Sequence, residues 1–155
     1  MKIAHAKSTN IGTITLIEEN GYLTDLLFPE VAIPPNLKRQ ETSLLKEAFA
    51  QLDSYFAGKL KEFSLPLNPH GTEFMRKVWH ALQTIPYGET VSYKDIAEQV
   101  GCPQGYRAVG LANNKNPIPI IIPCHRVIGT NGKLVGFALG LGAKQQLLDM
   151  EKQWC

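Results

Sequence analysis

One eleven-residue stretch constrains this chain more than any other: Asn116-Pro117-Ile118-Pro119-Ile120-Ile121-Ile122-Pro123-Cys124-His125-Arg126. It holds three prolines and a fully apolar run, followed at once by a nucleophile, a base and a cation. Three consecutive β-branched isoleucines suit a short, buried, extended segment. Pro123 fixes φ and cannot donate to a strand ladder, so that segment should end there. Proline also favours the first position of a helix. One helical turn starting at Pro123 would set Cys124 among unpaired backbone N–H groups at the positive end of a dipole, which lowers a thiol pKa. An inert, buried cysteine is the alternative reading. The polar flank of His125 and Arg126 argues for the reactive one.

The rest of the sequence fits a globular protein. A chain of 155 residues that is 44% apolar and 19% charged can bury a real core, as one domain or two small ones. Met1-Lys2-Ile3-Ala4-His5 lacks the apolar core of a signal peptide, and no apolar run reaches membrane-spanning length, so the expected location is the cytoplasm. Cys102, Cys124 and Cys155 form no CxxC pair, and reduced thiols are the simpler reading. The four histidines and three cysteines show no metal-ligand spacing, so no structural metal is expected. Net charge is only +2, but it is unevenly spread: no acidic residue occurs from Gln99 to Leu148, a window holding Arg107, Lys115, Arg126, Lys133 and Lys144. A basic stretch with the nucleophile inside it suits an anionic partner, and a solvated face is the alternative.

Along the chain, the first 28 residues read as strands, with Asn20-Gly21 as a hairpin turn. Pro29 to Asn36 reads as a loop. Thr42 or Ser43 can cap a helix over Ser43–Phe56 that Gly58 stops. Phe63, Leu65 and Leu67 alternate like a short strand. Asn68-Pro69-His70-Gly71 is the expected boundary between domains 1–69 and 70–155. Beyond it, Thr72 can cap a helix to about Leu82, and Ser92-Tyr93-Lys94-Asp95 has the form of a capping box. A second helix is expected from about Gly105 to Asn113 after the turn at Gly101–Gln104. That pair has the outline of a helix-turn-helix. Ala108, Gly110 and Ala112 would let the second helix approach a groove closely, or pack tightly on another helix. Gly129–Gly132 reads as a hairpin turn, and a last helix should run from about Gly142 to Lys152. The fold class is α/β: a small N-terminal α/β unit with antiparallel strands, then a mainly helical C-terminal domain.

Assembled, these residues resemble the O6-alkylguanine-DNA alkyltransferases. The matching pieces are Ile121 to Gly129 around Pro-Cys-His-Arg, Asn116-Pro117-x-Pro119, Arg107-Ala108-Val109-Gly110, Ser92-Tyr93 and Ile85-Pro86-Tyr87-Gly88. The tail Lys144…Leu147-Leu148…Glu151 matches too, and the likeness reaches back through Gln51 to Gly58 and Gly71 to Phe74, growing weaker in the first 40 residues. The resemblance implies single-use transfer of an alkyl group, mainly methyl, from O6 of guanine (or O4 of thymine) in duplex DNA to Cys124. It implies no cofactor, a monomer, and duplex DNA containing O6-alkylguanine as the partner. It makes His125 the base acting through a water, Glu151 the carboxylate that orients it, Asn116 a brace, and Tyr93 the proton donor to the departing guanine. Arg107 would fill the duplex when the base is flipped out, with Tyr106, Ala108, Gly110, Lys115 and Arg126 also at the DNA. Pro119, Val127, Phe137, Ala138 and Leu139 would line the guanine pocket.

The chemistry is consistent with those roles. Displacement at an alkyl carbon needs a thiolate. A phenol stabilises charge on the leaving guanine. A stacked base must be extruded before it can react. The chain departs from the family pattern at Phe137, which lacks a hydroxyl, at Leu139 in place of a glycine, and at Tyr106 in place of a small residue. Leu139 should narrow the pocket and favour methyl over benzyl-sized adducts. Competing readings are a non-catalytic lesion binder, a cysteine hydrolase and a sequence-specific DNA regulator. Cys124, the lack of an oxyanion-hole motif and the small residues of the second helix count against them in turn.

Overall fold

Asn20 and Gly21 both take positive φ, 54° and 82°, the geometry of a two-residue hairpin turn whose twist matches its strands. The turn joins β2 (Gly12–Glu19) to β3 (Tyr22–Leu27), and β2 pairs on its other side with β1 (Lys2–Thr9). The computed structural model describes residues 1–129 and 141–153. It divides into two units, Met1–His70 and Gly71–Cys155.

In the first unit the sheet order is β3-β2-β1-β4, antiparallel except for β4 (Lys38–Arg39), which lies parallel to β1. β4 is two exposed charged residues, so no apolar alternation marks it in the sequence. Helix α1 (Ser43–Phe56) starts where Thr42 accepts a hydrogen bond from the Leu45 N–H. The same hydroxyl donates to the Glu18 carboxylate, tying the helix start to β2. Leu45, Ala48, Phe49 and Leu52 are buried, as are Ala4, Ile14, Leu16 and Leu23 of the strands. The strand expected over Phe63–Leu67 reduces to a single bridge between Leu67 and Leu23. It is held by Leu23 N–H donating to Pro66 O and Asn68 N–H to Leu23 O, both at 2.8 Å, and Pro66 has no N–H with which to extend it.

The second unit comprises α2 (Glu73–Leu82), β5 (Val91–Ser92), α3 (Tyr93–Gln99), α4 (Tyr106–Asn114), a single 3-10 turn (Cys124–Arg126), β6 (Val127–Ile128) and α5 (Leu141–Gln153). Thr72 caps α2, and Ser92 with Asp95 forms the full capping box of α3. Trp79 donates its indole N–H to Ala112 O at 2.8 Å, which pins the end of α4 to α2. β5 and β6 pair in parallel, Val91 with Val127 and Ser92 with Ile128. No helix among the described residues is long and apolar enough to cross a membrane.

The isoleucine run is buried as expected, with Ile118, Ile120 and Ile122 at most 1% exposed. It is not an extended strand. Ile122 N–H donates back to Ile118 O at 2.9 Å, Pro119 bridges Ile122, and Ile120 takes φ 74°. A β-branched residue there costs on the order of 1–3 kcal/mol and persists only where its surroundings force it. Asn116 supplies that force: its Oδ1 accepts from Ile118 N–H at 3.0 Å and its Nδ2 donates to Ile122 O at 2.8 Å. One side chain closes the run into a turn, overriding the β propensity of its residues.

Candidate active site and candidate nucleic-acid interface

Cys124 follows that turn. It is 3% exposed, and Asn113 of α4 donates its Nδ2–H to the Cys124 carbonyl at 3.2 Å. The helical turn anticipated at Pro123 is only three residues long, too short to carry a useful dipole. Desolvation prevails instead, and burial pushes the thiol up to about 11, against the expectation of a lowered value. The Asn116 side chain and the Lys144 ammonium pull it back only in part. A thiol so placed keeps its proton at neutral pH.

The neighbouring ionisable groups share this burial. His125 is fully buried and donates Nε2–H to Glu151 Oε2 at 2.6 Å. A carboxylate only accepts, so the proton sits on Nε2 and Nδ1 carries the free lone pair. That Nδ1 is buried without a hydrogen-bond partner among the described residues. Desolvation holds His125 below its ordinary pKa, with Glu151 opposing and Arg126 and Lys144 reinforcing the shift. The imidazole is neutral at physiological pH.

Glu151, on α5, is the hub of the cluster. Besides His125 it accepts from Arg126 Nε at 2.8 Å, Arg126 Nη2 at 2.9 Å and the Gly88 backbone N–H at 3.2 Å. Arg126 also donates Nη1–H to Ile85 O at 2.8 Å and lies over the Tyr87 ring. This corrects the placing of Arg126 at the DNA: its side chain is buried in a bidentate pair that neutralises Glu151. The Ile85–Gly88 loop, matched in the sequence without a role, supplies two of the cluster's backbone contacts.

Tyr93 opens α3 directly behind its Ser92 cap. Its phenol is held above the ordinary value by burial and by Cys124, while Asn113 lowers it. Lys144 is buried, with Nζ 5.8 Å from the Tyr93 ring centroid, and burial lowers its pKa while Cys124 raises it. Lys144 and Asn113 are the residues that sequence reasoning missed. A signal for Lys144 existed: Lys144, Leu147, Leu148 and Glu151 recur at three- and four-residue spacing, so two ionisable groups share an otherwise apolar helical face.

The structure thus gathers Cys124, His125, Glu151, Tyr93 and Asn116, with Pro119 and Val127 buried alongside. Phe137, Ala138 and Leu139 lie outside the described residues. On α4, Tyr106, Arg107 and Ala108 are exposed, as is Lys115 just beyond its end. Gly110 and Ala112 do not join that outer face. A Cβ at Gly110 would meet the Tyr93 ring at 3.8 Å, and Ala112 is 1% exposed. Of the small residues, only Ala108 faces outward, and the others serve helix packing.

Comparison with known proteins converges on one family. The family profile described as 6-O-methylguanine DNA methyltransferase, DNA binding domain, matches residues 73–153, and that of the ribonuclease-like domain of the same proteins matches residues 4–69. A methylated-DNA–protein-cysteine methyltransferase of Mycobacterium leprae is 50% identical over 152 residues, 96% of this chain and 92% of the relative. One from Methanosarcina barkeri is 58% identical over 113 residues, 73% of this chain and 72% of the relative. Among solved structures, Mycobacterium tuberculosis OGT in complex with DNA superposes with a TM-score of 0.92 at 45% identity, covering 99% of this chain and 94% of that one. On the matches over both units, the chain belongs to the 6-O-methylguanine DNA methyltransferase family.

Proposed function

We propose that this protein repairs duplex DNA by moving a methyl group from O6 of guanine onto Cys124, once per molecule. The observation that carries this reading is the buried series Cys124, His125, Glu151, in which the imidazole Nδ1 has no hydrogen-bond partner among the described residues and stands next in sequence to the buried thiol. In the reaction, the Cys124 S–H proton passes to His125 Nδ1 through a bridging water. Glu151 stabilises the imidazolium, and Lys144 provides a counter-charge for the thiolate. Sulfur then attacks the methyl carbon, the S–C bond forms as the C–O6 bond breaks, and the electron pair leaves on guanine. Tyr93 donates its phenolic proton to that base as charge develops. The product is a thioether, which no group in the cluster can reverse.

Access to the lesion requires the base to leave the stack. In this reading α3 and α4 act as a helix-turn-helix whose second helix enters the minor groove. Arg107 fills the vacated space while Tyr106, Ala108 and Lys115 meet the backbone. The N-terminal domain, residues 1–69, is structural, and the protein works as a monomer in the cytoplasm without a cofactor. Treating an O6-methylguanine duplex with wild type and with Cys124→Ser tests the reading. Wild type should convert the lesion to guanine on nucleoside analysis, and the serine variant should bind the duplex and leave the lesion intact. Conversion by the serine variant would refute Cys124 as acceptor.

A further inference from the structure

Among the described residues, five large apolar side chains stand exposed, and the only two in the second unit, Tyr106 (43%) and Leu111 (55%), both lie on the nine-residue α4. The helix buries Val109, Ala112 and Asn113. At 3.6 residues per turn, the direction opposite those three is occupied by Arg107, Leu111 and Asn114. Leu111 therefore stands in the middle of the outward row, one turn from Arg107. The helix carries no acidic residue, and Lys115 follows it. An apolar side chain on a basic, acid-free helix face fits a polyanion with an apolar interior, which is the description of a base-paired duplex. Apolar side chains of this size act in minor grooves as wedges that part a base step and kink the helix.

We propose that Leu111 is a second intruding residue that wedges open the base step next to the one filled by Arg107. This rests on the DNA-repair reading above and extends it to a residue outside the acceptor cluster. Residues four apart on one helix face are about 6 Å apart. Successive base pairs rise about 3.4 Å, so the two side chains reach positions one to two steps apart. The wedge lowers the work of extruding the damaged nucleotide, and its benefit depends on how easily the neighbouring step unstacks. Repair in a flexible pyrimidine–purine context should therefore gain more from Leu111 than repair in a stiff A-tract.

The test compares wild type, Leu111→Ala and Leu111→Met for methyl transfer from an O6-methylguanine duplex and from free O6-methylguanine base. The side chain is more than half exposed, so both variants keep the fold. Alanine should slow duplex repair by about tenfold, leave reaction with the free base within about twofold, and lose the dependence on flanking step, whereas methionine should retain both properties. In a Cys124→Ser background, 2-aminopurine beside the lesion should brighten on binding, and adding Leu111→Ala should abolish that rise. Duplex and free-base rates that both stay within about twofold of wild type, or that fall together, would overturn the wedge. A wild-type protein that takes no methyl from the duplex would instead overturn the repair reading itself, and that result is read before any Leu111 variant is made.

Discussion

Arg126 changes role between sequence and structure. A cation in a window without acids looks destined for a polyanion, yet its partner Glu151 lies 25 residues downstream, outside that window. The pair is buried on both sides, so removing one member strands a charge. Arg126→Met should cost roughly 3–5 kcal/mol of stability. Glu151→Gln keeps the shape but cannot stabilise an imidazolium. It should lower the rate of methyl transfer and move the acid limb of its pH profile, because the proton on His125 loses its counter-charge. A rate constant and a pH profile identical to wild type would remove Glu151 from the proton path.

The thiol itself makes a sharper demand. Burial raises Cys124 from an ordinary 9.0 to about 11. Between those values the unfolded chain releases a proton that the native chain keeps. Its contribution to stability is therefore complete below pH 9 and is lost as pH rises through the folded value, by roughly 3 kcal/mol in all. Cys124→Ser should flatten that alkaline decline in equilibrium denaturation from about pH 8 to about pH 11. Equal slopes in the two proteins would mean that the thiol has its ordinary acidity. The acidic alternative, a thiol lowered by a helix dipole, needed a longer helix than the three residues that form.

At the scale of elements, local chemistry was legible and long-range chemistry was not. Thr42, Thr72 and Ser92 announce their helices because capping is settled within four residues. The hairpin at Asn20-Gly21 is legible for the same reason. The isoleucine run misleads because its backbone answers to the Asn116 side chain rather than to its own propensity. Gly110 and Ala112 mislead because small residues serve a groove and a helix contact equally, and only burial tells them apart. The cap of α3 also sets Tyr93, so its loss should be felt in chemistry as well as stability. Ser92→Ala should cost about 1 kcal/mol and lower the melting temperature, slowing methyl transfer more than an equally destabilising change in α1 such as Thr42→Ala. Matched activities in those two variants would show that the start of α3 does not govern Tyr93.

For the molecule as a whole, the family and the His125–Glu151 pair were readable from resemblance, whereas the Arg126 and Gly88 partners of Glu151 required the fold. Arg126 and Lys144 are both buried and leave the charge asymmetry, while Arg107 and Lys115 remain exposed on or beside α4. Binding to undamaged duplex should weaken linearly on a log–log plot against salt, and Lys115→Ala should reduce the slope by about one phosphate contact. A slope indifferent to Lys115 would place that residue off the DNA. Single-use repair rests on Cys124 alone, and intact mass spectrometry after incubation with excess O6-methylguanine duplex reads its alkylation. The expected result is a gain of one methyl group per chain, mapped to Cys124, that saturates there however long the incubation. Continued removal of methyl groups by a chain whose mass does not change, or a methyl found on another residue, would contradict it.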